Sequence, residues 1–333
     1  MKGTYRIRVT SKRLQYDFEL RRKYTVIRGD SATGKTTLYD LILDVERRRK
    51  GVILSSKVPV VSANYLGGRW DLVLPTISNS IVIIDEDSDW VRSEAFAALV
   101  MKSDNYFVFI NRDALKQIPY SVKEIYEIKT SGRYHSLVPI YKHTPYEMAP
   151  DYIITEDAKS GYQFFKHVCD KCPEACVSAD GKSNIYRMLL SAPYKDSKVL
   201  VVADGAAFGC DVERIARLKA FQDRNVKLFL PESFEHLLLR SALFCHHKDV
   251  TEILGNPSEY IDASFNSWEQ YFTDLLVRLT SRTPAHYTKG KLPNCFIEDC
   301  CYIGSPCRLL VRDKKVESVL QLVHDVDFSK LRE

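Results

Sequence analysis

Short apolar runs alternate with longer stretches of mixed polarity along most of this chain. Tyr24-Thr-Val-Ile27, Ser80-Ile-Val-Ile-Ile84 and Asn105-Tyr-Phe-Val-Phe-Ile110 are continuous and rich in β-branched or aromatic residues. Such runs predict strands buried on both faces, as in a parallel sheet. Glu124-Ile-Tyr-Glu-Ile128 reads as one more strand, and Tyr5 to Leu20 as an N-terminal hairpin. Leu38-Tyr-Asp-Leu-Ile-Leu43 follows the first of these strands and has a helical pattern.

After the connector Lys142 to Pro150, whose two prolines break regular structure, a second alternation begins. Tyr162–Val168 predicts a helix, Ala175–Ser178 a strand, Asn184–Ser191 a helix and Lys198–Ala203 a buried strand. Asp211–Arg224 then reads as a helix, Val226–Leu230 as a strand and Phe234–Cys245 as a helix. Helix is expected from Trp268 onward, with a last amphipathic helix over Val316–His324. Strands alternating with helices imply βαβ units. The expected fold class is therefore α/β, with one parallel-sheet domain over 1–145 and a second α/β domain over 150–333 that ends in a helical region.

Chemistry concentrates at the ends of these strands. Gly29-Asp30-Ser31-Ala32-Thr33-Gly34-Lys35-Thr36-Thr37 has the form G-x-x-x-x-G-K-[ST], after a strand and before a helix. That is the context of a phosphate-binding loop. The glycines let successive N–H groups cradle an anion, and the following helix adds its positive end. Lys35 is expected to reach the β- and γ-phosphates of ATP, and the Thr36 hydroxyl to join an Mg²⁺ shell. The strand ending at Ile84 runs into Asp85-Glu86-Asp87. Asp85 is placed to hold Mg²⁺ through water and Glu86 to activate the attacking water.

These motifs resemble ATPases that carry a catalytic glutamate after the Walker B aspartate, the broad class that includes ABC-type and RecF-like proteins. In that class a polar residue ending the strand beside the Walker B strand often senses the γ-phosphate, which makes Asn111 the candidate. Arg112 could neutralise developing charge, but a single arginine after a strand is more often a solvated surface residue. No L-S-G-G-Q type signature lies between Lys50 and Asn79, so an ABC-style sandwich dimer is not expected. Some form of homo-oligomer is.

The second half ends its strands in Asp180-Gly181-Lys182, Asp204-Gly205-Ala206-Ala207-Phe208-Gly209 and Pro231-Glu232-Ser233-Phe234-Glu235. Carboxylates at adjacent strand ends suit one or two Mg²⁺ ions for phosphodiester chemistry. Over roughly Ala175–Leu239 the layout resembles the TOPRIM domain of primases, topoisomerases and OLD-family nucleases. That resemblance sets Asp180 in the place of the family's glutamate and Asp204 at the first position of its D-x-D motif, where Asp204 would bind metal. Asp180, Asp204 and Glu232 are the candidate catalytic acids. Ala206 stands where the second aspartate belongs. An ATPase followed by a TOPRIM-like unit resembles a minimal OLD-family protein, a group with members in phage defence. The resemblance implies an ATPase that controls a metal-dependent nuclease acting on DNA or RNA. The other reading is a nucleotide-gated interaction protein that docks a protein partner through an inactive TOPRIM-like domain.

Composition adds limits. At 333 residues, 45% hydrophobic and 27% charged, the chain has a plain globular balance, and its net charge of +5 permits nucleic-acid binding without arguing for it. No run approaches the ~20 apolar residues needed to span a bilayer. The N-terminus enters a strand-like pattern directly, so a cytoplasmic protein with no membrane partner is expected. Nine cysteines then point away from disulfides. Plain burial is the expectation for them. Cys169-x-x-Cys172-x-x-x-Cys176 with Cys295, Cys300, Cys301 and Cys307 keeps zinc as the alternative, since it prefers thiolates at ~2.3 Å.

Overall fold

The computed structural model describes all residues except 30–32, 64–68, 86–88, 143–144, 245–246, 302–309, 312–313, 316–317 and 333. Residues 242, 298–301, 310–311 and 314–315 are described by backbone alone. The chain is mixed α/β and forms two units, Met1–Lys142 with Asn256–Ser267, and His143–Gly255 with Trp268–Glu333. Residues 256–267 thus return to the first unit. Gly3 N donates to Ser258 O at 2.9 Å and Ala263 N to Met1 O at 2.8 Å. The Lys23 ammonium and the Tyr24 hydroxyl both donate to Asn266 Oδ1.

The first unit comprises β1 (Tyr5–Ser11), β2 (Gln15–Leu20), β3 (Tyr24–Arg28), α1 (Lys35–Glu46), β4 (Val52–Ser55), β5 (Val60–Ser62), α2 (Trp70–Val73), β6 (Ile81–Ile84), α3 (Glu94–Lys102), β7 (Tyr106–Ile110), β8 (Ile125–Ser131) and β9 (Tyr134–Pro139). Its strands form one sheet in the order β4-β1-β2-β9-β8-β3-β7-β6-β5. From β8 to β5 every pairing is parallel, so the expected parallel sheet is half of a mixed one. The other half is a wing in which only β2 and β9 pair in parallel. β3, β6 and β7 are buried at every position, as continuous apolar runs require when both faces are covered. Each fully buried Val, Ile or Phe there contributes about 1.5–3 kcal/mol. β2 instead alternates, with Tyr16, Phe18 and Leu20 facing inward.

The second unit comprises β10 (Tyr152–Thr155), α4 (Ser160–Val168), β11 (Cys176–Ser178), α5 (Lys182–Leu189), β12 (Val199–Val202), α6 (Gly209–Ala216), α7 (Lys219–Gln222), β13 (Val226–Phe229), α8 (Phe234–Arg240), α9 (Lys248–Gly255), α10 (Trp268–Thr280) and α11 (Asn294–Cys301). Its sheet is fully parallel in the order β11-β10-β12-β13. β10 lies inside that sheet and was not expected. Its four residues follow Pro150, and nothing in so short a run marks it as central. The expected helix over Asp211–Arg224 is two, α6 and α7. The one over Phe234–Cys245 stops at Arg240, where Ser241 adopts extended backbone. The described part of Val316–His324 is turns, not helix. Its apolar spacing is real, since Val319, Leu320, Leu322 and Val323 are all buried, but irregular backbone buries them.

Candidate functional site

The first site stands where β3 hands over to α1. Gly29 has φ 133° and Gly34 has φ 92°, backbone that a side chain at Cβ strains. Gly34 is the N-cap of α1, and the first turn of that helix carries no acidic residue. Three of its first four N–H groups, those with no partner inside the helix, follow Gly34 directly. The Lys35 side chain is buried, and its ammonium turns back onto Gly29 O and, at 3.3 Å, onto Thr33 Oγ1. Thr36 and Thr37 are exposed. Thr33, Gly34, Lys35, Thr36 and Thr37 line one open cleft of about 610 Å³. Ser31, Ala32 and Glu86 lie outside the described residues.

Asp85 directly follows β6 and Asn111 directly follows β7, both buried. β7 pairs with β3 on one side and β6 on the other, so the three strand ends are consecutive in the sheet. Asn111 N donates to Ile27 O at 3.2 Å, which ties it to the strand that leads into the loop. Neither Asp85 nor Asn111 is among the described residues that line the cleft, whereas Arg112 is. Arg112 is exposed, as expected, and its place on the surface is the rim of this cleft. Tyr16 and His135 also line the cleft and were not anticipated. The hydroxyl of Thr36 and the carboxylate of Asp85 are hard oxygen donors of the kind Mg²⁺ takes.

The second site lies at the ends of β10 and β12. Asp204 follows β12, and its N–H donates to Glu156 Oε2 at 3.1 Å. Glu156 follows β10, the strand paired with β12. Asp204 Oδ1 accepts from Phe234 N, at the start of α8, at 3.1 Å. Glu235 is buried; its Oε1 accepts from the Tyr287 hydroxyl at 2.6 Å. Glu235 Oε2 is buried without a hydrogen-bond partner among the described residues. The Lys289 ammonium pairs with Glu269 of α10. Glu156, Asp204, Glu235 and Lys289 share a narrow cavity of about 40 Å³.

Burial, and after it the crowding of carboxylates, sets the electrostatics here. Burial first, then Glu269, Glu235 and Glu156, hold the pKa of Asp204 well above the usual carboxylate range. Burial likewise raises Glu156. For Lys289, burial works against the charge, but Glu269 and Glu235 outweigh it and raise its pKa. Gly205 marks a close crossing of two turns: a Cβ there would come within 2.5 Å of Leu230 O.

Asp180 is not part of this cavity. It sits in an exposed turn after the edge strand β11, at φ 51°, and its Oδ1 accepts from the Ser178 hydroxyl. The acid beside Asp204 is Glu156, whose carbonyl accepts from Gly181 N at 2.7 Å. The reason is topological: β10, not β11, is the neighbour of β12. Glu232 is buried in the turn after β13 and offers its carbonyl to Ala206 N at 3.2 Å, without lining the cavity. Tyr152-Ile-Ile-Thr-Glu156 was the available signal for Glu156, an apolar run ending in an acid. Lys289, Glu269 and Tyr287 had none.

Among the described residues, no three His, Cys, Asp or Glu side chains gather closely enough to hold a metal ion. The carboxylates of the second site, as they stand, do not form a cage for Mg²⁺, and Cys169, Cys172 and Cys176 do not form one for zinc. The side chains of Cys300, Cys301 and Cys307 lie outside the described residues. Among those residues no helix is long and apolar enough to cross a membrane. No protein-family model matches this chain, and no curated protein matches it in sequence.

Proposed function

We propose that this chain binds and hydrolyses a nucleoside triphosphate, ATP being the natural case, and that its nucleotide state governs a TOPRIM-like second unit that engages nucleic acid. The observation that carries the nucleotide half is the consecutive order of three strand ends: the loop of Gly29 to Thr37 after β3, Asn111 after β7 and Asp85 after β6. An anion entering the loop meets the N–H groups of the α1 terminus and the helix dipole. Lys35 exchanges Gly29 O and Thr33 Oγ1 for phosphate oxygens. Thr36 and Asp85 would hold Mg²⁺, which neutralises charge on the β- and γ-phosphates. In this reading Asn111, at the end of the strand between those of the loop and Asp85, senses the γ-phosphate, and Glu86 follows Asp85 as the base for water.

Lys35→Ala should abolish ATP turnover and leave the circular dichroism spectrum intact. Turnover at the wild-type rate in that variant would refute the assignment.

Glu156 beside Asp204 supports action on nucleic acid, because it sets two carboxylate-bearing residues at adjacent strand ends. A second reading is favoured by Ala206 and by the Lys289–Glu269 pair, which sits among the carboxylates where a metal would otherwise compensate them. In that reading the unit is a docking module under nucleotide control. Plasmid DNA and structured RNA incubated with the chain, Mg²⁺ or Mn²⁺, and with or without ATP, distinguish the two. Cleavage lost in Asp204→Ala supports the first reading. No cleavage under any condition, with ATP still hydrolysed, supports the second.

A further inference from the structure

One wing residue reaches the phosphate loop directly. β2 and β9 pair in parallel with Tyr16 opposite His135, and the two rings stack with centroids 4.3 Å apart at 14°. Thr130 Oγ1, on β8, lies 2.9 Å from His135 Nδ1 and fixes the imidazole edge. Tyr16 and His135 are both buried. The stack leaves the Tyr16 hydroxyl pointing at the loop, where it donates to Gly34 O at 2.9 Å. The same carbonyl accepts from Leu38 N at 3.0 Å, the first backbone bond of α1.

Two donors thus hold one carbonyl in a single direction, down the helix. In a trans peptide the C=O and the N–H point in opposite directions. The carbonyl of Gly34 and the N–H of Lys35 belong to one peptide. Fixing the first therefore aims the second out of the helix N-terminus, toward the cleft where the anion would lie.

We propose that Tyr16 is a positioning residue of the phosphate loop: its hydroxyl, braced by the stack on His135, locks the Gly34–Lys35 peptide so that the Lys35 N–H faces the bound phosphates. This rests on the nucleotide reading of the cleft. Gly34 fits the role twice, because its φ of 92° disfavours a side chain and a Cβ there would approach the Tyr16 hydroxyl to 2.9 Å. Burial pushes the Tyr16 phenol up to about 12, so it keeps the proton it donates. Packing alone needs only the ring, which a phenylalanine supplies. The hydroxyl is spent on the loop.

The test is Tyr16→Phe, which keeps the ring and the stack and removes one oxygen. Dissociation constants are measured for AMP-PNP and for tripolyphosphate, both with Mg²⁺, alongside melting temperatures. Losing one net hydrogen bond corresponds to roughly 2- to 12-fold weaker binding. The expected result is a loss in that range, by the same factor for both probes, because the cradle and not the base has changed. His135→Phe, which keeps a ring against Tyr16, should show a smaller loss. Equal affinities in wild type and Tyr16→Phe would overturn the positioning role, even with a lower melting temperature, since that pattern belongs to packing. A loss for AMP-PNP alone would also overturn it, by making the hydroxyl a base contact. If the wild type binds neither probe, the nucleotide reading fails first and takes this proposal with it.

Discussion

The two candidate sites are built from opposite materials. The cleft of the first unit presents backbone N–H groups, a helix terminus and one lysine, is open, and is about 610 Å³ in size. The cavity of the second unit gathers Glu156, Asp204 and Glu235 around about 40 Å³, with Lys159 and Lys289 also on its lining. A backbone cradle can wait for an anion cheaply, because each N–H remains satisfied by solvent until the ligand comes. Lys35 is parked meanwhile on Gly29 and Thr33. Buried carboxylates have no such option, since mutual repulsion and lost hydration both disfavour their charged forms. They must take up protons or a cation. On the proposed reading the first site waits for its ligand, whereas the second already pairs Lys289 with Glu269 beside its carboxylates.

That contrast gives the two regions opposite responses to pH. Asp204 and Glu156 have raised pKa values in the folded chain. Such groups bind protons more tightly when folded, so they stabilise the fold most at low pH. That contribution is lost as pH rises from the ordinary values, 3.8 for Asp204 and 4.5 for Glu156, through the raised folded values. Asp204→Asn keeps the acceptor for Phe234 N and removes the titration. It should raise the stability of the second unit at pH 7 by on the order of 1 kcal/mol and flatten the slope between pH 4 and 7. Urea unfolding followed at several pH values reads this directly. A lower stability at pH 7 with the slope unchanged would mean that the carboxylates are not in conflict.

His135 has the opposite sign, because burial lowers its pKa. Its contribution is present above the unfolded value of 6.5 and is lost as pH falls through it toward the lowered folded value. His135→Phe should remove that acid-side loss from the first unit, a change under about 1 kcal/mol between pH 7 and 5. An identical pH slope in the variant would show that the imidazole does not titrate with unfolding, and the contrast between the regions would narrow to the acids alone.

Local order made the first site readable from sequence. Tyr24 to Thr37 is contiguous, so strand, loop and helix terminus appear as one pattern, and Asp85 and Asn111 each end an unmistakable buried strand. The second site is assembled by pairing. Glu156 meets Asp204 across 48 residues because β10 inserts between β11 and β12. Read in chain order, Asp180-Gly181 was the obvious partner, and only the strand order displaces it. Tyr16 and His135 escaped for the same reason, since a parallel contact between β2 and β9 leaves no trace in either segment. The turns after Ser318 failed differently. Their apolar spacing fits a helix, but burial needs only that the side chains face inward, which irregular backbone also achieves.

The central claim is that the cleft at the end of β3 binds a nucleoside triphosphate through Lys35. Calorimetric titration of Mg²⁺–AMP-PNP into the wild-type chain and into Lys35→Ala tests it most directly. Saturable one-site binding by the wild type, with heat lost in the variant at the same concentrations, is the predicted result. Equal binding by both proteins, or none by the wild type, would contradict it.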